Sequence, residues 1–387
     1  MTVTVPGPTL GVVGGGQLGR MLAEAAAPLG VEVVVLDPTP DCPAAPVARD
    51  HVVGDFDDPE AFRELAARTD ALTFEIELAD SDLLDEVADE YGLTVNPAPE
   101  TLSLIEDKLV QKEALADAGV PVPPFRRVDD ADDLRDALDE FGAVMLKART
   151  GGYDGRGNVP VRDESEVEEA LDASAARRWP RRSSTSRANC RSSRCRATAK
   201  CGRPVGENVH EAEILRETVV PARTTDAVRA RADEVARDVL SVLDGRGVFG
   251  VELFETPDGD VSVNEIAPRP HNSGHWTIEG ARTSQFEQHV RAVLGWPLGS
   301  TARRAPTAMA NVLGTVEETR PATLGNVESV LAAEEASLHW YGKDDVRPLR
   351  KMGHLTLTGA DGAADDEADV DGLLARARDL RDGLTFD

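Results

Sequence analysis

The chain has 387 residues, more than one ordinary hydrophobic core organises, so two or three domains are expected. Its 70 acidic residues against 42 basic ones give a net charge of −28, which repels nucleic acid and anionic membrane and excludes polyanion partners. No apolar run approaches the roughly 20 residues that span a bilayer, and no basic region followed by a secretory core opens the chain, so a cytoplasmic location is expected. Only six of the bases are Lys, and this acidic, Arg-preferring composition resembles that of proteins from salt-loving organisms, whose carboxylate-rich surfaces stay hydrated in concentrated salt.

The first element is a glycine loop, G-V-V-G-G-G-Q-L-G-R-M-L at 11–22, between a short apolar run and a helical stretch. Gly14, Gly16 and Gly19 fit G-x-G-x-x-G, and Asp37 ends the next apolar run, Val31 to Leu36, so the first reading is a dinucleotide fold. Glycines let the backbone turn tightly and expose N–H groups at a helix N-terminus, but many phosphate-bearing ligands satisfy that physics. The loop alone leaves its ligand open. Further on, Asp107-Lys108 opens a helix ending near Gly119, and Val144 to Lys147 reads as a buried strand with a Lys at its end. Thr150 to Asn158 follows as T-G-G-Y-D-G-R-G-N. Its glycines Gly151, Gly152, Gly155 and Gly157, with Arg156 among them, are expected to form a lid against a polyphosphate.

The stretch from Ser174 to Arg203 contrasts with the rest: it has no Asp or Glu and ten bases, without which the chain would stand at −38. Cys190, Cys195 and Cys201 lie inside it, but their C-x4-C-x5-C spacing lacks the close pairs of a zinc site and no His falls among them. As a nucleic-acid arm it sits mid-chain with Trp179 as its sole aromatic. Out-of-frame reading of a G+C-rich gene accounts for the Arg, Ser, Ala and Cys content better. Asn189 to Cys195 can be encoded as AAC TGT CGG TCG TCG CGG TGC, and starting one base earlier, with a G in front, yields Glu-Leu-Ser-Val-Val-Ala-Val, a buried-strand sequence. Two compensating frame errors bracketing roughly 174–203 are the hypothesis, and resequencing the gene tests it; an unambiguous frame with these codons, shared by close relatives, would refute it.

Beyond Pro204 acids and helical periodicity resume. Val248 to Phe254 and Val261 to Ile266 read as paired strands joined by the turn-rich Thr256 to Asp260. Each carries a carboxylate among apolar neighbours, Glu252 and Glu265, and a shared divalent ion, Mg²⁺ bridging to nucleotide phosphates, would offset the cost of placing two anions in a partly dry site. Lys343, Arg350 and Lys351 fall within nine residues of a very acidic protein and read as an anion site. Residues 363–387 read as a charged, helix-rich surface segment.

Together these pieces resemble the ATP-grasp superfamily, and within it the ATP-dependent 5-(carboxyamino)imidazole ribonucleotide synthases. The matching strings are G-G-G-Q-L-G-R-M at 14–21, T-F-E-I-E at 73–77, D-K-x-x-Q-K at 107–112, K-A-R-T-G-G-Y-D-G-R-G at 147–157, E-N-V-H-E-A-E-I-L-R-E-T at 207–218, N-E-I-A-P-R-P-H-N-S-G-H-W-T at 264–277 and W-Y-G-K-x-x-x-R-P-L-R-K-M-G-H at 340–354. The resemblance covers nearly the whole chain except the basic tract. It implies an α/β and α+β protein: a Rossmann-like pre-ATP-grasp domain at 1–105, an ATP-grasp domain at 106–305 containing the aberrant 174–203, and a small β-rich C-terminal domain at 306–387. It implies a cytoplasmic, commonly dimeric enzyme that joins ATP, bicarbonate and aminoimidazole ribonucleotide through carboxyphosphate, with Mg²⁺ as metal.

By resemblance, Lys108 and Lys147 contact ATP phosphates under the loop of Gly152, Tyr153, Asp154, Gly155, Arg156, Gly157 and Asn158, with His210 and Asn264 against the nucleotide. Glu252 and Glu265 hold the metal, and Glu265 also serves the nucleotide. Tyr153, Asp154 and Arg156 face bicarbonate and the imidazole, with Lys343 at the carboxylating centre. Arg350 and Lys351 take the 5-phosphate, and Gln17 and Glu75 reach the ribose or base. The family's adenine hinge belongs where the basic tract stands, so the chain as written is expected to bind ATP poorly and to lose a central strand pair. Three competing readings are a nicotinamide dehydrogenase, another ATP-grasp ligase such as a formate-using purine transformylase or a biotin-dependent carboxylase subunit, and a relic that binds the ribonucleotide without turnover.

Overall fold

The structure, a computed structural model, describes residues 2–150, 158–176, 185–188, 195–198, 204–211, 214–361 and 369–386. The N-terminal part is a five-stranded parallel sheet in which Thr9–Val13 lies between Glu32–Asp37 and Ala71–Phe74, with Asp50–Val53 and Thr94–Val95 at the edges. Its central strands are buried along nearly their whole length because helices cover both faces. Helix Gln17–Ala26 buries Leu18, Met21, Leu22 and Ala26, one face at helical spacing, and packs them against Phe286, Val290 and Val293 of helix Gln285–Val293. The strand order turns in opposite directions on either side of the Thr9–Val13/Ala71–Phe74 pair, and the crevice at their carboxyl ends receives Gly14–Gly16 and Glu75.

Helix Lys108–Asp117 begins where expected: Asp107 accepts from the N–H groups of Leu109 (3.0 Å) and Val110 (3.2 Å) and caps it. Gly119, at φ +76°, turns the chain out of it. The central part holds a four-stranded sheet in the order Phe125–Val128, Thr185–Ala188, Val144–Ala148, Asn158–Val161, whose core adds Leu134 and Ala137 from helix Ala131–Phe141 and Val167 and Ala170 from helix Val167–Ala176. The hairpin Gly250–Glu255 and Val261–Ala267 is extended by Cys195–Thr198. The expected loss of a strand pair in the basic tract is therefore corrected. Thr185–Ala188 pairs with both Phe125–Val128 and Val144–Ala148, because strand pairing uses backbone N–H and C=O groups that every sequence except proline supplies.

A five-stranded antiparallel sheet, Glu207–Glu211, Ile214–Val220, Thr307–Leu313, Lys351–Thr358 and Ala336–Trp340, runs without interruption across residue 305, so the C-terminal segment continues a sheet begun at 207. Helix Val370–Asp382, in the segment expected to be helical, packs Leu374, Ala377 and Leu380 on this sheet, and Thr385–Phe386 pairs with Leu324–Gly325. Glu217 on Ile214–Val220 is 2% exposed and accepts from Arg378 Nη2 (2.8 Å) and Arg381 Nη1 (2.5 Å) of that helix.

Glu217→Gln leaves two guanidinium groups facing a neutral amide, a loss of about 2–4 kcal/mol once the exposure of Arg378 is discounted. Burial raises the Glu217 carboxyl, but Arg378 and Arg381 outweigh it and leave the pKa below its ordinary 4.5. Their stabilisation is complete above the unfolded pKa and is lost as pH falls through the folded one. Calorimetry is expected to show a lower Tm for Glu217→Gln at pH 7 and a narrowing gap below pH 4; a constant gap would show that the ion pair is not its source.

Candidate active site

The glycine loop does not offer its N–H groups to a ligand. Gly14 N donates to the Leu36 carbonyl (2.8 Å), Gly15 N to Asp37 Oδ2 (2.9 Å) and Gly16 N to Glu75 Oε1 (2.6 Å). A Cβ on Gly14 would stand 2.6 Å from Glu75 Cγ, so glycine here makes room for the protein's own carboxylate. This counts against the dinucleotide reading: a pyrophosphate on these three N–H groups would have to displace Asp37 and Glu75. Glu75 is buried, and that burial pushes its carboxyl up to about 7 against the opposing pull of Arg269 and the Gly16 N–H. Arg269, brought from the central part, pairs with Glu77 at 2.7 Å.

Gln17, next to this loop, meets the C-terminal segment. Lys343 Nζ donates to Gln17 Oε1 (2.9 Å) and to the Lys351 carbonyl (2.6 Å), and stands 5.5 Å from the centre of the Tyr341 ring. Tyr341 is buried in the N-terminal core and its hydroxyl lies 3.0 Å from His354 Nδ1, which anchors the lysine's loop. Arg350 turns to the Asp345 carbonyl (2.7 Å) beside Arg347, whereas Lys351 faces Glu252 and His210.

Glu252 and Glu265 are direct register partners on the hairpin. Glu252 is 6% exposed and accepts from Asn208 Nδ2 (3.2 Å), whose Oδ1 accepts from Thr218 Oγ1 (2.9 Å). Burial first, then the Glu265 charge, pushes its carboxyl up to about 7, opposed by Lys351 and Lys147. Lys147 Nζ donates to Asn264 Oδ1 (3.4 Å) and is in register with Asn158, whose Oδ1 is buried without a hydrogen bond among the described residues. His210 Nδ1 is likewise buried without one, and burial followed by Lys351 lowers this imidazole to about 4, so it is neutral at pH 7. Lys147, Asn158, His210, Glu252, Asn264, Glu265 and Lys351 thus converge.

The donor set fits Mg²⁺, which is commonly bound through one or two carboxylates and completed by water and phosphate. No group of three His, Cys, Asp or Glu able to hold a metal occurs among the described residues; of the pair, Glu252 is buried and Glu265 exposed, and a cation between them would relieve their like charge. Lys108 N donates to the Arg149 carbonyl (2.9 Å) while Asp107 pairs with Arg149 Nε (2.9 Å), tying the helix start to the chain just before residue 150. Gly152, Tyr153, Asp154, Gly155, Arg156 and Gly157 lie outside the described residues. The sequence reading did not single out Asn208, His271 (Nδ1 3.8 Å from Glu252 Oε1) or the buried Lys112 as site residues.

Comparison with known proteins bears on all three regions. The family profile of the ribonucleotide synthetase preATP-grasp domain matches residues 8–106, that of the ATP-grasp domain 113–286, and that of the phosphoribosylaminoimidazole carboxylase C-terminal domain 307–368. The N5-carboxyaminoimidazole ribonucleotide synthase of Brucella melitensis is 40% identical over 362 residues, covering 91% of this chain and 96% of that protein. The phosphoribosylaminoimidazole carboxylase of Ogataea methanolica is 41% identical over 367 residues, and the match spans 90% of this chain but 66% of that longer protein. The crystal structure of N5-carboxyaminoimidazole synthase from Aspergillus clavatus, in complex with ADP and 5-aminoimidazole ribonucleotide, superposes with a TM-score of 0.84 at 34% identity, covering 98% of this chain and 100% of that one.

The raised Glu252 carboxyl makes a prediction with a definite sign. A folded pKa of about 7 against an ordinary 4.5 means that stability is fully present below the unfolded value and is lost as pH rises through the folded one. Glu252→Gln, which cannot ionise, is therefore expected to exceed the parent by up to roughly 3 kcal/mol in metal-free buffer at pH 8 and by about nothing at pH 4. Melting temperatures at the two pH values read this out; equal shifts at both would show that Glu252 ionises without penalty.

Proposed function

The chain belongs to the N5-carboxyaminoimidazole ribonucleotide synthase family of ATP-grasp ligases, and from that membership we propose that it carboxylates 5-aminoimidazole ribonucleotide in de novo purine synthesis, consuming ATP and bicarbonate. One observation carries the reading: Lys147, His210, Glu252, Asn264, Glu265 and Lys351 converge on the hairpin, and Lys343 closes that cluster against Gln17 of the N-terminal part.

The reaction requires a bicarbonate oxygen to attack the γ-phosphorus and expel ADP, then CO₂ released from carboxyphosphate to be captured by the substrate's exocyclic amine before water intervenes. Lys108 and Lys147 neutralise phosphate charge, and the orphaned Asn158 Oδ1 and His210 Nδ1 each need a polar partner that a bound nucleotide supplies. Asn264 shares the Lys147 contact and so orients its ammonium. Glu252 and Glu265 would hold Mg²⁺, which when bound would neutralise phosphate charge. Gln17 and Glu75 line the ribonucleotide side, Arg350 and Lys351 receive its 5-phosphate, and Lys343 stands at the carboxylating centre. Tyr153, Asp154 and Arg156 address bicarbonate and the imidazole, within a lid of Gly152, Gly155 and Gly157.

The wider setting is proposed with it: a cytoplasmic homodimer adapted to high salt. No helix among the described residues is long and apolar enough to cross a membrane, and the charge of −28 supports the salt adaptation. Against a nicotinamide dehydrogenase stands the glycine loop filled by Asp37 and Glu75. Against other ATP-grasp ligases stand the relatives just described. The impaired-product reading keeps a specific support, the ten bases and no acids of 174–203 in an otherwise acidic chain.

Phosphate release is expected only with ATP, bicarbonate and 5-aminoimidazole ribonucleotide together. A chain carrying the in-frame translation of 174–203 is expected to show it at millimolar ATP and the chain as written to show little; ready carboxylation by the latter would overturn the expectation that it binds ATP poorly. In the active chain Lys343→Met is expected to lower kcat about a hundredfold, the scale of removing one preorganised electrostatic contact to the transition state. An unchanged kcat would remove Lys343 from the centre.

A further inference from the structure

Lys112 is a buried base that the proposed reaction does not use. It lies on helix Lys108–Asp117, between Leu109 and Leu115 on the covered face, and is 6% exposed. Its ammonium donates to two consecutive carbonyls of the hairpin, Val263 O at 2.5 Å and Asn264 O at 3.1 Å. In a regular strand consecutive carbonyls point in opposite directions, so one donor reaching both marks a departure from the pleat.

That departure is a β-bulge. Leu253 is opposite Val263, but the next pair is Glu252 opposite Glu265, which leaves Asn264 as the extra residue. The core-facing residues show the same phase change: Val261, Val263 and then Ile266 are buried, a step of two followed by a step of three. Were the ladder continued from Leu253–Val263 without the extra residue, Glu252 would face Asn264 and Glu265 would share the core face of Val263. The bulge brings the two carboxylates together.

We propose that Lys112 is the positioning residue that holds this bulge, and that by doing so it sets Glu265 across from Glu252; the functional half of the proposal rests on reading that pair as the metal site. The ammonium bonds the carbonyls of the two residues at the bulge, and buried carbonyls deprived of that donor would favour re-pairing in the regular register. Lys112 does not touch substrate or metal in this account. It acts through Asn264 and Glu265, and through Asn264 it also bears on the Lys147 contact.

The test uses the whole chain in two measurements. Amide hydrogen exchange in metal-free protein is expected to accelerate tenfold or more at residues 252–254 and 263–266 in Lys112→Met, with the strand Thr307–Leu313 unchanged and with Lys112→Arg, which keeps charge and donors, nearer the parent. Unchanged exchange at the bulge, or equal acceleration in both strands, overturns the proposal. Electron paramagnetic titration of Mn²⁺ in the presence of ADP is expected to show at least tenfold weaker binding in Lys112→Met and its loss in Glu265→Gln. Loss in Glu265→Gln with parental binding in Lys112→Met overturns the functional half alone. Parental binding in both, or no Mn²⁺ binding by the parent, overturns the metal reading and leaves exchange to decide the bulge. Should Lys112→Met not fold, Lys112→Gln, which can still donate to one carbonyl, is measured in its place under the same criteria.

Discussion

Two carboxylates facing each other across a hairpin are the constraint on which the rest of the site depends. Glu252 and Glu265 are in register, and Glu252 is removed from water, so burial and like charge act together to drive its carboxyl toward the proton. Every neighbour reads as a response to that. Asn208 donates to Glu252 and is itself held by Thr218; Lys147 and Lys351 supply charge from two other strands. In the same field His210 stays neutral, because burial and Lys351 outweigh the pull of Glu265. A further cation placed between the two carboxylates would relieve the like charge that remains.

The second dependence is between parts of the chain. One face of the turn and helix at 272–280 presents Asn272, His275 and Glu279, spaced i, i+3 and i+7. These meet Asn311, His354 and His339, which share one register row across three strands of the five-stranded sheet. Asn272 and Asn311 exchange amide hydrogen bonds at 3.1 and 2.6 Å, the His275 and His354 rings stand 4.9 Å apart, and Glu279 lies 2.7 Å from His339 Nε2. A polar row in an otherwise apolar interface fixes register, since a one-residue slip would bury every member unpaired. The Lys343 loop follows directly from this row through Tyr341, so the position of Lys343 relative to Gln17 depends on the seam being in register.

How much of this was legible in the sequence differs by the range of the interaction. Strands and helices were readable to within a residue or two, as with Val31 to Leu36 for the observed Glu32–Asp37, because periodicity and capping are local. The chain-wide order of motifs identified the family. The glycine loop misled because its local spacing is that of a phosphate turn, whereas its N–H groups are filled by Asp37 and Glu75, residues 22 and 59 positions from their donors. Lys112 stood in the D-K-x-x-Q-K string without a role, because the carbonyls it meets are 151 and 152 positions away. The bulge did leave a local trace, the two-then-three spacing of Val261, Val263 and Ile266, which alternation rules treat as noise unless a second carboxylate strand gives it meaning.

The basic tract separates two things that a strand provides. Its backbone completes the frame: Thr185–Ala188 sits between two partners, and Cys195–Thr198 borders the strand that carries Glu252, because pairing asks only for N–H and C=O groups. Its side chains are another matter. A nucleotide base is recognised by particular donors, acceptors and apolar walls, which a change of side chains alters while leaving the ladder intact. Backbone pairing and side-chain recognition are therefore separable in such a tract. A chain can retain its sheet order, its core and its relatives' overall shape while losing the chemistry of one wall of the cleft.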